Sequence, residues 1–149
     1  MLSKQKVYDH CLSVLDKKIE ELNSALSGAT ESANNETKST AGDKHETARA
    51  MMQLEQEKLG RQLKQLEDQR TELEKIDISK TNSQIAKGCL IETDKGILFI
   101  AIGLGKITID GKTVFAISSQ SPLGKLLLGK KEKDVVEMNG VKYFIERFF

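Results

Sequence analysis

Lys38-Ser39-Thr40-Ala41-Gly42-Asp43-Lys44-His45-Glu46-Thr47 is a short polar stretch between two long segments patterned in heptads. It is small-residue-rich and contains a glycine, so it reads as the tip of a helical hairpin. Before it, Tyr8, Leu12, Leu15, Ile19, Leu22, Leu26, Ala29 and Ala33 recur four and three residues apart, an a/d seam that predicts one helix over about 4–36. After it, Met52, Leu59, Leu66 and Leu73 recur every seventh residue with Leu63 between them, predicting a second helix over about 46–75. At about 1.5 Å per residue each helix spans roughly 45–50 Å. Equal lengths and a short tip favour an antiparallel hairpin over parallel association of two chains. The seam narrows from leucine to alanine near the tip, which lets the helices approach closely there. The competing reading of 27–44 is a polar linker, since Gly28, Thr30, Ser32, Asn34 and Asn35 are poor helix formers.

Within the tip, Asp43 and Glu46 stand three residues apart. If Gly42 closes the turn, Asp43 caps the second helix and Glu46 sits one turn on. That spacing alone is compatible with a helix start and nothing more.

Beyond position 76 the texture changes. Ile76 to Lys87 reads as a linker, and the apolar period then drops from 3.5 to 2. Strands are predicted at 88–93, 97–103, 106–109, 113–118, 134–138 and 141–148, with Asp94-Lys95-Gly96, Asp110-Gly111 and Asn139-Gly140 as turns. Ser121-Pro122 reads as an N-cap and first-turn proline opening a short helix that Gly129 stops. The fold class is therefore α+β: an N-terminal antiparallel coiled-coil hairpin over 1–78, then a small antiparallel β domain with one short helix over 79–149.

Composition narrows the function classes. The chain has 149 residues, 30% charged and 38% hydrophobic, and its formal net charge is +1. That balance argues against nucleic-acid binding through bulk charge. Residues 1–78 hold 12 Lys/Arg against 15 Asp/Glu, net −3, and residues 79–149 hold 11 against 7, net +4. The two cysteines, Cys11 and Cys89, form neither a disulfide framework nor a metal quartet. The start MLSKQKVYDH lacks an apolar signal region, and the longest apolar run, Ile97 to Leu104, is too short to span a bilayer. A cytoplasmic monomer without a membrane partner is expected.

Two blocks resemble the Gre family of bacterial transcript-cleavage factors. The first is Gly42-Asp43-Lys44-His45-Glu46-Thr47-Ala48, followed by the helix ending Gln62-Leu63-Lys64-Gln65-Leu66-Glu67. It is similar to the family tip Gly-Asp-x-x-Glu-Asn-Ala. The second is Ile117-Ser118-Ser119-Gln120-Ser121-Pro122-Leu123-Gly124-Lys125-Leu126-Leu127-Leu128-Gly129-Lys130 with Asp134-Val135-Val136-Glu137. It resembles the C-terminal signature in which Ser-Pro opens a helix and Gly-Lys and Asp-x-Val follow. The resemblance implies a C-terminal domain of FKBP-like fold and a hairpin that enters the secondary channel of RNA polymerase. It implies that Asp43 and Glu46 assist the polymerase active site by ligating Mg²⁺ in the complex, acting on the nascent RNA 3′ end of a backtracked transcript. It also implies docking near Ser121, Pro122, Lys125, Lys130 and Lys131. The chain would not be an enzyme by itself. It departs from the family where Glu46-Thr47-Ala48-Arg49-Ala50 replaces Glu-Asn-Ala-Glu-Tyr, losing the tyrosine and gaining an arginine.

The alternatives are a channel-binding regulator without cleavage activity, a coiled-coil adaptor with no polymerase link, and a prolyl isomerase suggested by fold alone. An acyl-transfer role for Cys11 beside His10, or for Cys89, has no oxyanion-hole motif to support it.

Overall fold

In the computed structural model residues 2–36 and 42–149 are described, with backbone alone for 31–36 and 42–45. The elements run α1 (Lys4–Glu36), α2 (Gly42–Glu74), β1 (Leu90–Thr93), β2 (Gly96–Ala101), β3 (Gly105–Ile109), β4 (Lys112–Ser118), α3 (Pro122–Leu127), β5 (Val135–Met138) and β6 (Val141–Phe148). The chain is α+β, a helical hairpin followed by a six-stranded sheet and a short helix, as the period switch predicts.

By compactness it divides into two units. One comprises Val14–Arg70, and the other Met1–Ser13 with Thr71–Phe149, so the bases of both helices group with the sheet. In the first unit, Asp16 and Arg70 form an ion pair at 2.5 Å, and Gln56 Nε2 donates to Thr30 Oγ1 at 3.2 Å. Both pairs are symmetric about position 43, which fixes one antiparallel register. Leu15 and Leu59 are buried, whereas Ile19, Leu22, Leu26, Met52, Leu63 and Leu66 are half-buried. Two helices alone can cover only part of each other's seam.

At the base of α1 the buried positions are Val7 and Cys11, with Tyr8 and Leu12 only half-buried. Val7, Cys11 and Leu15 step by four residues, the stripe of a helix packed into a globular core rather than a strict a/d seam. The seam predicted through Tyr8 and Leu12 is rotated there because those residues belong to the sheet unit.

The sheet order is β3-β4-β2-β1-β6-β5. All neighbours are antiparallel except β2 and β4, which run parallel with Phe99 opposite Ala116. The sequence predicts an antiparallel sheet throughout. Instead, the Gly103-Leu104-Gly105 connection carries β3 to the outer edge, and the β3–β4 hairpin folds β4 back beside β2. Alternation shows which residues share a face: Ile91, Leu98, Ile100 and Ile145 enclose one core with Leu123 and Leu127 of α3. On the other face Leu90, Phe99, Val114 and Ala116 are also almost fully buried. Burial on both faces explains the unbroken apolar run in β2.

Asp110-Gly111 and Asn139-Gly140 all have positive φ, the backbone of the two-residue turns expected at these positions. Lys6 pairs with Asp110 at 2.9 Å, joining the first turn of α1 to the β3–β4 turn, and this contact holds the Asp110 carboxyl below its ordinary range. The 76–87 segment is more than a spacer. Ile85 is buried in the sheet core, its N–H donates to the Lys130 carbonyl at 2.8 Å, and its own carbonyl accepts from Gly129 N–H at 2.8 Å.

Candidate functional site

The tip of the hairpin begins with α2, which starts at Gly42, four residues before the expected Glu46. Asp43 therefore lies inside the first turn rather than ahead of it as a cap. Carboxylates are favoured in a first turn because the unpaired N–H groups there carry partial positive charge. Glu46 falls one turn beyond Asp43 on the same helix, and residues three apart are neighbours on a helix surface. Glu46 is exposed, as are Thr47 and Arg49. The side chains of Asp43, Lys44 and His45, and residues 38–41 of the tip, lie outside the described residues.

Among the described residues no group of three or more His, Cys, Asp or Glu side chains gathers around a metal position. Asp43 and Glu46 instead supply two carboxylates. That donor set suits Mg²⁺, which is commonly held by one or two carboxylates together with substrate phosphates and waters. In chemistry and number the two residues fit that donor set.

The C-terminal block has a different character. Ser121 is the N-cap of α3, with extended backbone at φ −68° and ψ 158°. Its Oγ accepts from Gly124 N–H at 3.1 Å and donates to the Ser118 carbonyl at 2.6 Å. Pro122 takes the first helical position, where a missing N–H costs nothing. A Cβ on Gly124 would stand 2.1 Å from the Ser118 carbonyl oxygen, so α3 approaches the end of β4 closely only because that side chain is absent. Ser-Pro-x-Gly thus has a complete folding rationale. Lys125, Lys130 and Lys131 are exposed around it. The Lys131 backbone N–H donates to Asp134 Oδ2 at 2.8 Å, shaping the loop that presents Lys130 and Lys131.

Neither thiol is presented for chemistry. Cys11 is buried, and burial pushes its thiol up to about 11. Cys89 is buried too, its Sγ accepting from Ala86 N–H at 3.4 Å and Asn82 Nδ2 at 3.7 Å.

One surface feature has no counterpart in the heptad reading. Met51 and Leu54 are 66% and 64% exposed, the highest values among the large apolar side chains described. They fall outside the a/d positions, and that misfit was the available sequence signal.

No family model matches the chain, and no curated protein matches it. A solved structure described as the structure of the transcription factor Gfh1 is similar, at 17% identity over 92% of this chain and 92% of that chain, with a TM-score of 0.37. Among the described residues no helix is long and apolar enough to cross a membrane.

Proposed function

We propose that this protein is a Gre-like transcription factor whose hairpin enters the secondary channel of RNA polymerase. There, Asp43 and Glu46 support Mg²⁺-dependent cleavage of backtracked transcripts. The observation that carries the reading is the tip: two carboxylates one turn apart at the start of α2, within a block that resembles the Gre tip. No packing requirement accounts for Glu46, which is exposed.

The helices act as a carrier. The antiparallel register ties Asp16 to Arg70 and Thr30 to Gln56, so the helices that lead to the tip are paired. Asp43 and Glu46 would hold the ion from the factor's side and orient the attacking water by accepting its hydrogen bonds. Bound there, Mg²⁺ would supply charge neutralisation at the scissile phosphate. Catalysis would belong to the polymerase, with this chain lending two oxygen ligands. The exposed Lys125, Lys130 and Lys131 would contribute to docking at the channel rim.

A second reading is a regulator that occupies the channel without promoting cleavage. Arg49 favours it, because an exposed guanidinium one turn after Glu46 offsets the negative charge a divalent cation needs. The absent tip tyrosine points the same way.

The test is cleavage of a backtracked transcript in reconstituted elongation complexes. Asp43→Asn and Glu46→Gln keep side-chain size while removing charge, and each is expected to abolish stimulated cleavage with polymerase binding intact. The double variant should lose little more than either single one, because both ligands would serve one ion. Normal cleavage by both single variants would reduce the pair to a helix start. A wild-type chain that binds and never accelerates cleavage across a Mg²⁺ titration would establish the regulator. No binding to polymerase at all would leave the adaptor.

A further inference from the structure

Arg49 follows Glu46 by one turn of α2, and both residues are exposed. At about 100° per residue, Glu46 lies about 60° round the helix from Asp43, and Arg49 about 60° further in the same direction. Glu46 therefore stands between the two, with Arg49 about 4.5 Å beyond it along the axis. Side chains on a helix lean toward its N-terminus, which here is the tip. The residues three and four away from Arg49 are His45, Glu46, Met52 and Gln53, and such residues are neighbours on a helix surface. Glu46 is the one carboxylate among them. Lys44 and His45 fall about 160° and 100° round from Glu46, so Arg49 is the basic residue that shares its side of the helix. Among the described side chains neither Arg49 nor Glu46 is held in an ion pair.

We propose that Arg49 sets the concentration of Mg²⁺ at which the tip carboxylates work. The inference rests on the functional reading above and adds a regulation of that same site. Asp43 and Glu46 together offer two negative charges to a divalent cation, and a guanidinium beside Glu46 cancels one of them. At a separation of about 8 Å in a solvent-like dielectric, one positive charge weakens the hold on a divalent cation roughly fivefold. Below the raised threshold the chain occupies the channel without assisting cleavage, and above it the two carboxylates hold the ion. The cleavage factor and the non-cleaving regulator are then one protein at two Mg²⁺ concentrations. A guanidinium that instead touched RNA phosphate would act with the opposite sign, because its loss would weaken cleavage and would not ease the demand for metal.

The experiment uses the full chain and RNA polymerase elongation complexes, with two metal titrations. The first reads stimulated cleavage of a backtracked transcript against Mg²⁺. The second replaces Mg²⁺ with Fe²⁺ and reads scission of the factor's own chain near the tip by hydroxyl radicals generated at the ion, which reports occupancy whether or not RNA is cut. Gln, Lys and Glu are all good helix formers, so circular dichroism should show unchanged helix content in each variant. The half-saturating metal concentration is expected to fall about fivefold in Arg49→Gln, to fall further in Arg49→Glu and to stay at the wild-type value in Arg49→Lys. Lys58→Gln removes an exposed charge about 18 Å along the axis from Glu46 and should leave both curves in place. Unchanged half-saturation for Arg49→Gln would overturn the inference, while cleavage by the wild-type chain would keep the functional reading standing. A raised metal requirement or lost cleavage in Arg49→Gln would overturn it in favour of a contact to RNA phosphate. If the wild-type chain binds and never cleaves, Arg49→Glu should gain cleavage; no gain and no tip scission would overturn the inference and leave the regulator. Failure of the wild-type chain to bind polymerase would overturn both readings.

Discussion

The two compact units meet their folding requirements in opposite ways. In the sheet unit the inward positions are closed to solvent: Phe99, Ile100, Val114 and Leu127 are fully buried, and even the signature residues Ser121 and Gly124 are consumed by a helix cap and a close backbone approach. Among the described residues of the Val14–Arg70 unit only Leu15 and Leu59 are buried, and most of the described seam residues remain half-open. A motif in the sheet unit can therefore persist for structural reasons alone. A motif on the hairpin cannot be explained so easily, because little there is constrained by packing. The difference gives Asp43, Glu46 and Arg49 more weight as functional signals than Ser121 or Pro122.

The sharpest way to break this contrast is stability. Phe99→Ala should cost about 4 kcal/mol, the usual range for an aromatic removed from a closed core, whereas Leu22→Ala in the half-open seam should cost about 1–2 kcal/mol. Urea unfolding followed by circular dichroism measures both. Equal losses would mean that the hairpin is as tightly packed as the sheet. Next in size, Gly124→Ala should cost about 2–3 kcal/mol, because a methyl group 2.1 Å from the Ser118 oxygen must push α3 away. Full stability in that variant would return the Ser-Pro-x-Gly block to the list of functional motifs. The smallest effect belongs to Arg70→Gln. Its partner Asp16 is 54% exposed and the pair faces solvent, so about 0.5 kcal/mol is expected, with no change in the temperature at which the sheet unit melts.

Much of this contrast was legible before any coordinates. The a/d leucines marked both helices, their matched lengths and the short tip favoured antiparallel pairing, and the change of period at the linker marked where the sheet begins. Asp110-Gly111 and Asn139-Gly140 announced their turns through chemistry specific to positive φ. The parallel pairing of β2 with β4 was not legible, because an apolar run reads alike beside either kind of neighbour and only the path of the outer hairpin decides it. The rotation of the seam to Val7 and Cys11 was hidden for a related reason: heptad spacing describes a helix facing one partner, and the base of α1 is built into a globular core. The start of α2 at Gly42 also escaped. Glycine and aspartate usually stop or cap a helix, yet both fit a first turn whose N–H groups have no internal partner. In the candidate site the carboxylate pair could be read from spacing, while the outward apolar pair could be recognised only once exposure separated Met51 and Leu54 from the seam.

The cross-ties of the hairpin carry one more consequence. Asp16–Arg70 and Thr30–Gln56 share a single register about position 43, so the length of one helix cannot change unless the other changes with it. A lone seven-residue deletion would slide every facing pair out of step, while matched deletions of seven residues in each helix would preserve them and draw the tip back by about 10 Å. The hairpin is thus a ruler graduated in heptads, and the reach of its carboxylates is adjustable only in those coupled increments.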